Sequence, residues 1–200
     1  MWFSFFSNVL TFVVATGLCL TIGRTFTSKY FYTFVLLTGV SSLVAAFGHL
    51  EILDLTLQKV LLFTSRVLNM IAIYSFATGA FKHFGYYENK GLRILNPALI
   101  VGAVAWLALT NVFTPVMLYG VVGMLLFGLL SFVRNYTANK ESYLLVIIGV
   151  LFIAMSALNF AIFKHHETYI AADVSHFLIA ISMIFISFGF RKMKISLNEN

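Results

Sequence analysis

The chain has 200 residues, of which 60% are hydrophobic and 10% charged, with a mean hydropathy of +0.95 and a net charge of +6. A soluble domain carries about 25% charged residues, so a water-soluble core of this size is excluded and the chain reads as an integral membrane protein. Its one cysteine, Cys19, excludes an internal disulfide and a cysteine-rich metal site.

A spanning helix needs roughly 20 mostly apolar residues. The first candidate, Trp2–Ile22, lacks a positive start, so it is expected to stay as a helix rather than be cleaved as a secretory signal. The second and third run Tyr30–Leu50 and Leu55–Phe81. Asn96-Pro97 and Thr114-Pro115 each read as an N-cap followed by proline at the first helical position. That gives a short fourth span, Pro97–Val112, joined with almost no loop to a fifth, Pro115–Val133. The sixth and seventh are Ser142–Phe163 and Tyr169–Phe190. Continuous apolar runs of this length argue against a membrane β-barrel, whose strands are short and alternating. The expected fold is all-α: one seven-helix transmembrane bundle over residues 1–193, with a short polar tail at 194–200.

Charge placement predicts the orientation. Arg24, Lys29, Lys82, Lys90, Arg93, Arg134, Lys140, Arg191, Lys192 and Lys194 all fall at one end of a seven-span bundle, against Lys59 and Lys164 at the other. The positive-inside rule then puts the N-terminus outside and the C-terminus in the cytoplasm. The same distribution accounts for the net charge without a nucleic-acid partner. Membrane lipids, and other membrane-protein subunits, are the partners expected. Lys, Asn and Phe usage suits a bacterial inner membrane.

The unusual residues gather near the expected outer surface. Span two ends in His49, followed by Glu51 and Asp54. Span three carries Arg66 and Asn69, and span six carries Asn159. His165, His166 and Glu167 form a loop read as solvated. Asp173 and His176 are three residues apart at the start of span seven, on one helical face. Ionisable groups inside a bilayer are costly and mark functional sites or internal ion pairs. Arg66 is deep enough to need a partner, with Glu51, Asp54 and Asp173 the candidates by charge. His49, Asp173 and His176 are the candidate metal ligands, leaving a fourth position for water as in catalytic zinc sites. Ser42, Glu51 and Arg66 are the candidate catalytic groups, to orient the water, carry a proton or stabilise charge. Asn69 and Asn159 are read as helix-to-helix stitches, and the 22 phenylalanines as lipid-facing bulk and packing.

This arrangement resembles the superfamily of alkaline ceramidases and adiponectin and progestin receptors, seven-helix membrane hydrolases. Ser42 and His49 on span two, Asp54 just before span three and His176 near the start of span seven carry the resemblance. It implies zinc and hydrolysis of a lipid amide or ester, with Asp173 in the place of one of that superfamily's histidines. A retinal protein is not expected, because the last span, Tyr169–Phe190, has no lysine. The competing expectation is a non-catalytic accessory or structural subunit, in which the polar groups only lock the bundle. A proton relay through Asp173, His176 and Arg66 is the third.

Overall fold

The structure, a computed structural model, describes residues 2–163 and 171–198. The loop histidines His165 and His166, with Lys164 and Glu167, lie outside them. The described residues hold seven helices long and apolar enough to cross a membrane, and no strand. They are α1 (Trp2–Ile22), α2 (Lys29–Gly48), α3 (Leu55–His83), α4 (Lys90–Thr110), α5 (Thr114–Arg134), α6 (Lys140–Phe163) and α7 (Ala171–Asn198). The protein is an all-α polytopic membrane protein.

Side-chain caps start several of these helices. Ser28 accepts from the Tyr30 N–H at the head of α2, Asp54 from Thr56 and Leu57 at the head of α3, and Asn89 from Gly91 and Leu92 at the head of α4. Each supplies an acceptor to N–H groups that a first turn leaves unpaired. Asn89, not Asn96, therefore caps α4, which begins seven residues earlier than Pro97 would set it and is of ordinary spanning length. Pro97 lies inside the helix. Asn96 is buried instead and does cross-helix work: its amide donates to Thr78 Oγ1 at 3.1 Å, and its carbonyl accepts from Tyr119 Oη at 3.0 Å. The tight α4–α5 turn is present. It spans Asn111–Phe113, with Asn111 in the left-handed region at φ 51°.

Helix α5 is not uniform. Val121–Leu129 winds as a π-helix between α-helical ends. At 3.6 residues per turn, positions five apart point roughly 140° away from each other. The i→i+5 winding of a π segment brings them back to one face. Gly123 and Gly128 are such a pair. Both meet α3, where any side chain would strike Ile73 or Phe76.

The core is aromatic at one end and polar at the other. Phe31, Phe34, Phe76, Phe132 and Phe190 are fully buried, from four helices, with Phe31 and Phe190 stacked at 3.9 Å. These phenylalanines are the centre of the bundle rather than its lipid-facing coat. His83 closes this end, its Nε2 3.0 Å from Tyr143 Oη. The basic residues of the described chain, Lys59 and Arg66 excepted, gather at the same end. There Lys82 donates to Tyr30 Oη, and Lys192 pairs with Glu141.

Candidate functional site

The opposite end holds the polar cluster, and α1 contributes more to it than the sequence suggested. Ser4, Ser7, Asn8 and Thr11 recur at helical spacing and lie on one face of α1. Ser7, Asn8 and Thr11 are buried, although nothing about their residue types requires it. Helix α7 packs along that face. Asp173 sits in its first turn, where the positive end of the helix dipole favours an acid, and His176 follows one step on.

Ser7 joins them. Its hydroxyl donates to Asp173 Oδ1 at 2.8 Å and lies 3.0 Å from His176 Nδ1. A serine has one proton to give. With that proton on the carboxylate, the second contact requires His176 Nδ1–H to donate to Ser7 Oγ. The neutral imidazole then has its lone pair on Nε2. Thr11 Oγ1 lies 3.1 Å from the carbonyl oxygens of both His176 and Ser7 and shares its one proton between them. Asp173 is 7% exposed, and its Oδ2 has no hydrogen-bond partner among the described residues. A buried acceptor left unpaired costs about 1–3 kcal/mol, so this oxygen is poised to take a donor.

His49 ends α2 beside the cluster. Its backbone N–H closes the helix on Ala45 and Ala46, and its side chain reaches the protein surface. Atoms packed round the ring hold its pKa below the ordinary imidazole value. Arg66 pushes the same way, while Asp173 opposes both. His49 and His176 are also within reach of each other's charge.

The other candidates lie apart from this centre. Arg66 does not pair with Asp173, Glu51 or Asp54. Its guanidinium donates to the backbone and side-chain oxygens of Asn111, at 3.0 and 3.2 Å, and lies over the Phe113 ring. It therefore fastens α3 to the α4–α5 turn. Asp54 is committed to capping α3, and the backbone N–H of Thr56 is the main reason its carboxyl stays below the usual range. Glu51 is exposed in the α2–α3 loop. Ser42 is buried on α2, seven residues and hence about 10 Å deeper than His49 along the helix. Asn159 does act as a stitch: it donates to Ser175 Oγ at 3.0 Å, and Ser175 donates to the Ser156 carbonyl.

Zinc of the kind the resemblance implies needs a third protein ligand beside His49 and His176. Among the described residues, no group of three or more His, Cys, Asp or Glu side chains is arranged to hold a metal ion. Asp173 Oδ1 is engaged by Ser7. The groups in hydrogen-bond contact are an acid, a hydroxyl and an imidazole in series. Sequence reading missed Ser7 because a lone serine in an apolar run has no signature. The Ser4–Ser7–Asn8–Thr11 stripe was the available signal.

No curated protein and no solved structure matches the chain. A family described as of unknown function, DUF6962, matches residues 3–195. The chain belongs to that family.

Proposed function

We propose that this protein is an intramembrane acid–base catalyst that hydrolyses a lipid ester or amide at the α1–α7 cluster. The observation that carries the reading is Ser7, bonded at once to a buried carboxylate and an imidazole. In this scheme His176 Nε2 takes a proton from water as the water attacks the acyl carbon, and returns it to the departing alcohol or amine as the acyl C–O or C–N bond breaks. The imidazolium that forms is held through Nδ1–H to Ser7, and Ser7 passes the interaction on to the Asp173 carboxylate. Asp173 thus offsets a charge it does not touch, which is the part a carboxylate plays behind a general-base histidine. His49 stands at the surface end, placed to exchange protons with solvent. Asp173 Oδ2 accepts a donor from the ligand. The basic end of the bundle supports an orientation with the N-terminus outside and the C-terminus in the cytoplasm, and residue usage supports a bacterial inner membrane.

The test is direct. Protein reconstituted in vesicles is incubated with a ceramide and a phospholipid, and released fatty acid is followed by mass spectrometry. Release should rise with protein and fall at least 100-fold in His176→Gln, in line with the loss of a general base. Equal release from wild type and variant removes the proposal.

One observation favours a second reading. Ser7 and Thr11 tie α1 to α7 at the same residues, as a purely structural lock would. A scaffold subunit for other membrane proteins predicts that Ser7→Ala and Asp173→Asn weaken assembly of the bundle. The catalytic reading predicts a His176→Gln protein that is folded and inactive.

A further inference from the structure

A second feature, at the far end of the molecule, is independent of the acid–base cluster. A cavity of about 330 Å³ opens between the end of α3, the start of α4 and the end of α5. Its wall is apolar: Leu92, Leu126, Phe127 and Leu130 line it, and Leu126 and Leu130 are more than half exposed on the lipid side. Leu126 and Phe127 belong to the π-helical stretch, the kind of winding found at functional positions in helices.

The mouth is polar, and three of its side chains can donate. Arg134, Tyr86, Asn89 and Ser131 also line it, and no acid is among the lining residues. Asn89 Oδ1 is used in capping α4, which leaves its Nδ2 to donate. Tyr86 Oη accepts from Asn135 at 3.0 Å and keeps its own proton to give. Arg134 is exposed and lies beside the Tyr86 ring, 5.8 Å from its centroid. Lys82, Lys90 and Arg93 stand at the same end.

We infer that this groove binds one anionic phospholipid. An acyl chain lies along Leu92, Leu126 and Leu130, and the headgroup phosphate is met by Arg134, Tyr86 and Asn89. Charge complementarity sets the occupant. A zwitterionic lipid would place its own cation among Arg134, Lys90 and Arg93, whereas an anionic headgroup adds no such repulsion. Guanidinium is also the side chain best matched to phosphate oxygens.

The experiment is native mass spectrometry of the full chain purified from vesicles of phosphatidylglycerol and phosphatidylcholine in equal amounts. Wild type should retain phosphatidylglycerol in preference. Arg134→Gln should lower that retention roughly fivefold, the factor matching ~1 kcal/mol per basic residue at an anionic surface. Leu126→Trp fills the apolar part without changing charge and should lower it as well. Lys29→Gln, at the same end but outside the groove, should leave it unchanged. Equal retention of the two lipids, equal losses in Arg134→Gln and Lys29→Gln, or no loss in Leu126→Trp would each overturn the assignment. So would displacement of the lipid by inorganic phosphate alone, which would mark a simple anion site.

Discussion

Two antiparallel helix pairs in this protein are built on opposite plans. Helices α6 and α7 meet along a seam of serines and glycines, with Val146 and Ile186 set against the glycines, spaced by threes, fours and sevens: Ser142, Val146, Gly149 and Ser156 on one, Ser175, Ser182, Ile186 and Gly189 on the other. The contact is reciprocal. A Cβ on Gly149 would come within 2.9 Å of the Ser182 carbonyl, and one on Gly189 within 2.8 Å of the Ser142 carbonyl. Helices α4 and α5 have the tighter turn but no such seam between them, and α4 is the least buried of the spans at 11%, against 50% for α7. They are held to α3 by Asn96 and by the glycine face of the π segment. The difference teaches that a short connection does not make a close pair in lipid. Small side chains do, because packing rather than water exclusion drives helix association there.

The largest effect should come from breaking the first plan. Gly149→Ala puts a methyl against backbone and should destabilise the bundle by about 1–3 kcal/mol, as overpacking does. Gly102 on α4 has nothing within 4 Å of an added Cβ, so Gly102→Ala should be neutral or stabilising by up to ~1 kcal/mol. Thermal unfolding of the two variants in detergent, followed by loss of the monodisperse peak, decides it. Equal midpoints would mean that the two pairs are not different in kind.

Next in size is the buried polar knot of the second plan. Asn96→Ala leaves Thr78 Oγ1 and Tyr119 Oη without their buried partner and should cost about 1–3 kcal/mol. Hydrogen exchange should show faster opening confined to α4 and α5, with α6 and α7 still protected. Uniform acceleration across all helices would show instead that the knot serves the whole bundle.

The smallest effect concerns α3, on which the α4–α5 pair leans. The folded-state pKa of Asp54 lies below its ordinary 3.8 because the backbone N–H of Thr56 favours the carboxylate. Its contribution is therefore complete above that ordinary value and lost as pH falls through the lower folded value. Asp54→Asn keeps a capping oxygen without a titrating group. Wild type should lose more stability than the variant on acidification below about pH 4, and parallel pH profiles would remove Asp54 as the cause.

The spans were legible because a bilayer imposes a minimum apolar length that no tertiary contact can override. The start of α4 was not. Asn96-Pro97 has the composition of a helix start, and only burial of Asn96 against Thr78 and Tyr119 shows that the helix runs through it. Asp173 and His176 were legible as costly groups at helical spacing. Ser7, which joins them, was hidden because a hydroxyl can satisfy itself on its own helix. Arg66 was misassigned because charge alone ranks carboxylates first, whereas the structure offers it two amide-residue oxygens and an aromatic face.

The α6–α7 seam has one more consequence. A repeat of three and four averages 3.5 residues per turn, slightly tighter than a straight α-helix, which favours a left-handed crossing of the two helices. Wound together in this way, the last two spans slide or rotate only as a pair. Any displacement of Asp173 relative to α1 would therefore carry Ser156 and Asn159 with it, through their bonds to Ser175.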